Sequence, residues 1–347
     1  MRVLIIGGSG LISTETARAL LELGHDTTAV TRGQKAFRVE SSKGARLKTV
    51  VADRQNSDAL RRVADAVDPE VIIDQICYQP REMGELLRVR SHGLKQIVLV
   101  STVCAFGGRL VEHPARAGTE RRPISEYGRR KREIEDMLLE ANRSGYVAGT
   151  IMRPSSTDGP GAFLSGNLWG RDATLFTLLK ANRPIIVCAG GVLCQHGSAH
   201  DVGRAIALAA GRPKCYGKAY QAVGDECVTQ GEWTRRTALA LDCKEPNVFP
   251  IDSAWLCEKL KNWPRAGFLR DIWRYHCIFD NGELKRDIPE WRPEVAIADN
   301  ARLTWEWAQE SGAWAQAQAQ SPAGFKTDLE PEALCEAYAK AKAKFLE

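Results

Sequence analysis

No stretch of this chain approaches the roughly 18 consecutive apolar residues that a membrane helix needs, and its start lacks the basic region and cleavage site of a secretory leader. A protein without membrane association, cytoplasmic in location, is the expectation. The ten cysteines never fall into a Cys-x-x-Cys spacing, and several sit inside apolar runs, so they read as reduced core thiols. Neither a zinc site nor a disulfide framework is expected, and no metal ligand set stands out. No internal repeat is present. The excess of positive charge is small, +5 overall, but it gathers in Arg121-Arg122 and Arg129-Arg130-Lys131-Arg132. A basic run without interleaved aromatics reads as a solvated helix face, so a nucleic-acid partner is disfavoured.

What is present begins at the first residues. Four apolar residues, Val3 to Ile6, run directly into Gly7-Gly8-Ser9-Gly10, and a helical pattern follows from Leu11 until Gly24 stops it. This strand, turn and helix order is the context of a dinucleotide fingerprint. Glycine lets the backbone approach a pyrophosphate whose charge meets the helix N-terminus, so Gly7, Gly10, Leu11 and Ile12 are expected to bind a cofactor. Ser13 stands where the fingerprint has a third glycine, a position that serves helix packing; a slightly displaced helix with intact binding is expected.

With 44% hydrophobic and 26% charged residues over 347 positions, the chain can bury a sizeable core as one large domain carrying a smaller lobe. Strands are expected at Thr27–Val30, Leu47–Val51, Val71–Ile73, Gln96–Val100 and Val147–Met152, with helices at Ser57–Ala66 and Ser125–Ala141 between them. Such alternation predicts an α/β, Rossmann-type doubly wound parallel sheet over residues 1–153, with ligands beyond the carboxyl ends of its strands. Residues 154–347 are assigned to a substrate-binding lobe, except that 184–225 return to the sheet, beginning with a strand at Pro184–Cys188. Further helices are expected at 201–210, 230–241, 253–260 and 299–309. The Ala-Gln stretch from Ala315 to Gln320 reads as a linker before a terminal helix, Pro331–Phe345. Seven tryptophans, 255, 263, 273, 291, 305, 307 and 314, are expected in the lobe core. Trp169 is a candidate for stacking on a base, with core packing the more ordinary role.

Tyr127 and Lys131 lie one helical turn apart and share a face, which would bring the ammonium near the phenol and favour its ionised form. Chance gives this spacing to many helices; its weight comes from the glycine turn upstream and the hydroxyls of Ser101-Thr102 after a buried strand. Together these resemble the extended and atypical short-chain dehydrogenases/reductases, in the NAD-dependent epimerase/dehydratase branch that acts on nucleotide sugars. The resemblance implies that Thr102, Tyr127 and Lys131 are catalytic, counting Thr102 back from the loop-closing Gly107. In that scheme Tyr127 exchanges a proton with a sugar hydroxyl, Thr102 hydrogen-bonds the same oxygen, and Lys131 also holds the nicotinamide ribose. It places Asp53 at the adenine, the substrate lobe after Arg153-Pro154, and a homodimer along the helix carrying Tyr127. His200-Asp201-Val202-Gly203 and Phe279–Lys285 match later family segments. Dehydratases of the branch follow the catalytic hydroxyl with Asp-Glu; here Val103 and Cys104 stand in those places, which leaves epimerisation or reduction.

The second strand ends in Thr31-Arg32-Gly33-Gln34-Lys35 with no carboxylate for a ribose 2′-hydroxyl. Arg32 suits a 2′-phosphate, which favours NADP, while an arginine stacked on adenine would admit NAD equally. His200 and Asp201 form a possible dyad, read more simply as a packing contact and an N-cap. His196 and His200 share a four-residue spacing that Gly197 interrupts. The first expectation is therefore an NAD(P)-dependent epimerase or oxidoreductase acting on a nucleotide-linked sugar. An NADPH-dependent reductase of a small carbonyl compound comes second, and a noncatalytic dinucleotide-sensing or RNA-binding protein on the same fold third.

Overall fold

The computed structural model describes residues 1–34, 39–89, 91–320 and 330–346, so Lys35 lies outside the described residues. Strands β1 (Arg2–Ile6), β2 (Asp26–Thr31), β3 (Lys48–Val51), β4 (Val71–Asp74), β5 (Gln96–Val100) and β6 (Ala148–Pro154) are joined by Lys218–Ala222 in one parallel seven-stranded sheet. Its order is Lys218–Ala222, β6, β5, β4, β1, β2, β3, with every pair parallel. β1, β4 and β5 are near-continuous apolar runs because helices cover both faces of the sheet.

Helix α1 (Leu11–Glu22) and the helix Ala199–Ala209 cover one face, where Val3, Ile5, Val98 and Val202 share a core. The opposite face, with Leu4, Ile6, Ile97 and Leu99, packs against α2 (Ser57–Val67), α3 (Pro80–Leu87) and α4 (Glu126–Arg143). Local chemistry sets the helix ends: the Asn56 side chain caps α2, Pro80 opens α3, and Ser125 accepts the Gly128 N–H at 3.0 Å to start α4. A third apolar cluster, built on Trp169, Phe176, Trp233 and Trp273, forms a lobe beside the carboxyl ends of the strands. Among the described residues, no helix is long and apolar enough to cross a membrane.

Several expectations are corrected. Ile185–Cys188 does not return to the sheet; it pairs in parallel with Val248–Ile251 inside the lobe. The seventh strand, Lys218–Ala222, completes the sheet, its alternation of Lys218, Tyr220 and Gln221 hiding two side chains that are buried. The expected linker is helical from Ala313 to Gln320, as alanine's propensity favours, with Trp314 packed on Trp305 at 5.2 Å between centroids. Trp291 belongs to the sheet-side core, where its indole donates to the Asp201 carbonyl at 2.8 Å. Trp169 is fully buried in the lobe core. Of the cysteines, Cys77, Cys188, Cys215 and Cys335 are buried, whereas Cys227 is exposed.

Candidate active site

At the end of β1 the chain turns through Gly7 at φ +86°, held by the N–H groups of Gly7 and Gly8, which both donate to the Val30 carbonyl at 3.1 Å. A Cβ on Gly7 would lie 2.6 Å from Cγ2 of Ile76, so a side chain is excluded by space as well as by conformation. Ser13 resolves its departure from the fingerprint by donating its hydroxyl to the Gly7 carbonyl at 2.6 Å. Gly10 caps α1 without a side chain, and no acidic residue occupies the first turn. The orphan N–H groups and the positive end of the helix dipole are thus left for an anion. Close helix packing is secured at Gly203, where a Cβ would come within 2.6 Å of the Glu15 backbone of α1. That residue gave no such signal in the sequence.

A cleft of about 1030 Å³ runs from this turn to the end of β5, and Gly7, Gly10, Leu11, Ile12, Arg32, Asp53, Thr102, Tyr127 and Lys131 all line it. Every residue expected at the site therefore reaches one cavity. Thr102 leaves β5 extended and accepts the Cys104 N–H at 3.2 Å. The first turn of α4 presses on the Cys104 carbonyl through Gly128, where a Cβ would collide, and the neighbouring Tyr127 lines the same cleft as Thr102. Lys131 is 1% exposed and donates to the Val100 carbonyl at 3.0 Å. Its ammonium lies 6.0 Å from the centre of the Tyr127 ring and 5.1 Å from that of Tyr78.

The electrostatics differ from the expectation that Lys131 would lower the phenol pKa. Tyr127 keeps 42% of its surface exposed in the cleft; the burial of the rest, then the Cys104 and Tyr78 side chains, raise its pKa above the ordinary tyrosine value, and the Thr102 side chain opposes them. Lys131 stands over the Tyr127 ring. Burial lowers its own pKa, against Cys77, Asp74 and Glu135, which favour the charged form.

Two buried charge networks hold this group. Glu135, one turn beyond Lys131 on the same face of α4, accepts from Arg153 Nε at 3.0 Å and Nη2 at 2.7 Å, from Arg121 at 2.8 Å and from the Ser101 hydroxyl. It ties the ends of β5 and β6 to α4. On the other side Arg54 pairs with Asp74 and bonds the Glu82 carbonyl, while the Glu82 carboxylate accepts the N–H groups of Tyr78 at 2.7 Å and Gln79 at 2.9 Å. Sequence reasoning missed Tyr78, Arg54 and Glu135. The spacing of Glu135 four residues after Lys131, itself four after Tyr127, was the one available signal; Tyr78 and Arg54 sit in segments without periodicity.

Other candidates are placed elsewhere. Arg32 follows β2, is exposed, and forms no ion pair among the described residues. Asp53 accepts the Gln55 N–H at 2.9 Å. His196 and His200 are not brought together: His196 pairs with buried Asp158 at 3.0 Å and stacks on Trp233 at 4.9 Å, whereas His200 faces Glu15. Ser198, not Asp201, caps its helix; Asp201 accepts the N–H groups of Glu294 and Val295 at 3.1 Å. The basic run is largely neutralised within itself, as Arg129 and Arg130 pair with Glu126, Arg122 with Glu120 and Arg121 with Asp136, and Lys131 is buried.

Sheet, glycine turn and cleft define a Rossmann-type dinucleotide-binding protein. The family model described as the NAD dependent epimerase/dehydratase family matches residues 3–83 and 85–221, and the chain belongs to that family of NAD-dependent enzymes. It is 27% identical over 294 residues to 2′-dehydrokanamycin reductase of Streptomyces kanamyceticus, covering 84% of this chain and 80% of the relative. It is 23% identical over 312 residues to the chloroplast stem-loop binding protein of 41 kDa b of Arabidopsis thaliana, covering 86% and 76%. In fold it is similar to a UDP-glucose 4-epimerase of Thermotoga maritima solved with UDP-glucose, at a TM-score of 0.69 and 19% identity over 90% of this chain and 99% of that one.

Proposed function

We propose that the protein is an epimerase or oxidoreductase that interconverts a sugar alcohol and its ketone, with NADP preferred over NAD and a nucleotide-linked sugar as substrate. The observation that carries this reading is the convergence of Thr102, Tyr127 and Lys131 in the same cleft as the glycine turn. The cradle fits a dinucleotide: Gly7 leaves no room for a side chain, and the uncapped start of α1 suits a pyrophosphate. Gly7, Gly10, Leu11 and Ile12 would hold the pyrophosphate, Asp53 the adenine, Arg32 a 2′-phosphate and Lys131 the nicotinamide ribose. When bound, the cofactor supplies a hydride acceptor and donor.

The residues of this chain handle the proton. Tyr127 Oη exchanges it with the substrate oxygen, and Thr102 hydrogen-bonds that same oxygen. Protonated, Tyr127 would act as an acid toward a ketone oxygen, and ionised, as a base toward an alcohol. A second reading within the same site, net reduction of a sugar ketone, is supported by the activity named for the Streptomyces relative. An RNA-binding role, suggested by the name of the Arabidopsis relative, finds less support because the basic run is paired internally.

The deciding experiment offers the purified protein a panel of nucleotide sugars and keto-sugars with each cofactor, and follows both nicotinamide absorbance and sugar product. Product without net absorbance change identifies epimerisation, and a stoichiometric change identifies reduction. Salt-dependent RNA binding with no turnover of any member would overturn the proposal.

A further inference from the structure

Tyr78 belongs to none of the roles assigned so far, yet it lines the cleft with 48% of its surface exposed. Its ring centre is 6.5 Å from that of Tyr127, and the Lys131 ammonium lies closer to the Tyr78 ring than to the ring of Tyr127. An ammonium within about 6 Å of an aromatic face is attracted by the ring quadrupole, and more strongly once stripped of water. Among the described residues Lys131 has one hydrogen-bond acceptor, the Val100 carbonyl, so the π face replaces part of its lost hydration.

The turn that carries Tyr78 is built with unusual care for a surface phenol. Asp74 accepts the Ile76 N–H at 3.0 Å, Glu82 accepts the N–H groups of Tyr78 and Gln79, and buried Arg54 joins the two carboxylates from below. Both ends of the turn are thereby fixed by charge-assisted bonds.

We propose that Tyr78 is a positioning residue for the acid–base group, the face of its ring holding the Lys131 ammonium in place beside Tyr127. The inference rests on the reading of Tyr127 and Lys131 given under the proposed function. The charged and titratable groups facing Lys131 are Cys77 and Asp74 from the end of β4, Glu135 from α4, Arg54 from the chain before α2, and the two phenols. Tyr78 is the one whose face can be changed without altering a charge.

The test has an arm that needs neither cofactor nor substrate. In the free protein, the Lys131 ammonium is titrated by heteronuclear NMR on lysine-labelled protein, its resonance assigned by its loss in Lys131→Met. Tyr78→Leu should lower the midpoint by about 0.5–1 pH unit, Tyr78→Phe should leave it in place, and Tyr78→Trp, with a stronger π face, should raise it. In turnover, Tyr78→Leu should cut kcat by about three- to tenfold with KM little changed. Tyr78→Phe should match the wild type. A midpoint unmoved in both Tyr78→Leu and Tyr78→Trp overturns the inference, as does Tyr78→Phe losing as much activity as Tyr78→Leu. Should Tyr78→Leu not fold, Tyr78→Trp and Tyr78→Phe decide alone. Failure of the underlying reading is distinguishable, because it shows as full activity in Tyr127→Phe while the titration arm is unaffected.

Discussion

Gly7 and Ile76 meet so closely that a single methyl group added to the glycine would fall 2.6 Å from Cγ2 of the isoleucine, at a backbone angle that side chains seldom adopt. The two residues come from neighbouring strand ends, and their contact sets the floor of the cofactor turn. Gly7→Ala is expected to cost about 1–3 kcal/mol of stability and at least tenfold in dinucleotide affinity. Denaturant melts and a fluorescence titration with cofactor check this. Affinity within twofold of wild type would show that the turn does not cradle the pyrophosphate.

Removing the phenol oxygen tests the chemistry. Tyr127→Phe should lower kcat by roughly 10²- to 10⁴-fold while cofactor affinity stays within a few-fold. The raised phenol pKa also dictates the pH dependence. A protonated phenol is needed for ketone reduction, so that direction should be level through neutrality and fall only under strongly alkaline conditions. Alcohol oxidation needs the ionised form and should climb steadily with pH. Opposite slopes, measured by initial rates in both directions, would assign the proton to another group.

Arg32 sits at the mouth of the cleft just after β2. If it takes a 2′-phosphate, Arg32→Ser should weaken NADP binding by about 10- to 100-fold, the range of a charge-assisted hydrogen bond, and leave NAD binding unchanged. Isothermal titration with both dinucleotides is the measurement. NAD binding tenfold tighter than NADP in the unaltered protein would contradict the assignment.

The buried pair of His196 and Asp158 should appear in the stability curve. Burial acts against the imidazolium, but hydrogen bonds with Asp158 and Cys194 outweigh it and push His196 up to about 10. A folded-state pKa above the ordinary value of about 6.5 means stabilisation that is complete below that pH and is lost as the pH rises toward 10. Asp158 is displaced downward, so its contribution is lost only in acid. His196→Asn should therefore be less stable than wild type near pH 6, and its thermal midpoint should decline less between pH 6.5 and 10. Parallel curves for the two proteins would show that the ring is buried neutral.

The sheet was legible where burial on both faces leaves an unbroken apolar run. Val3 to Ile6, Val71 to Ile73 and Gln96 to Val100 announce themselves, and the glycines after the first of them announce the cofactor turn. The positions of Tyr127 and Lys131 followed from one helical turn of spacing. Ile185–Cys188 shows the limit of that signal, since an apolar run says that a strand is buried but not in which sheet. Lys218–Ala222 was missed because Tyr220 and Gln221 are buried as polar residues whose partners, Asp287 and Ala115, lie far away in sequence. Tyr78, Arg54 and the shift of Tyr127 depend on the same kind of distant meeting, which no local pattern records.

The apolar cluster of the lobe draws on residues before Ala199, between Cys227 and Trp273, and from Ile297 onward, while Val202 to Ala222 and Leu284 to Trp291 contribute to the sheet-side core. A foreign lobe could be grafted onto this scaffold only with several matched junctions made at once. Chimaeras cut at a single boundary will leave part of each core without its complement.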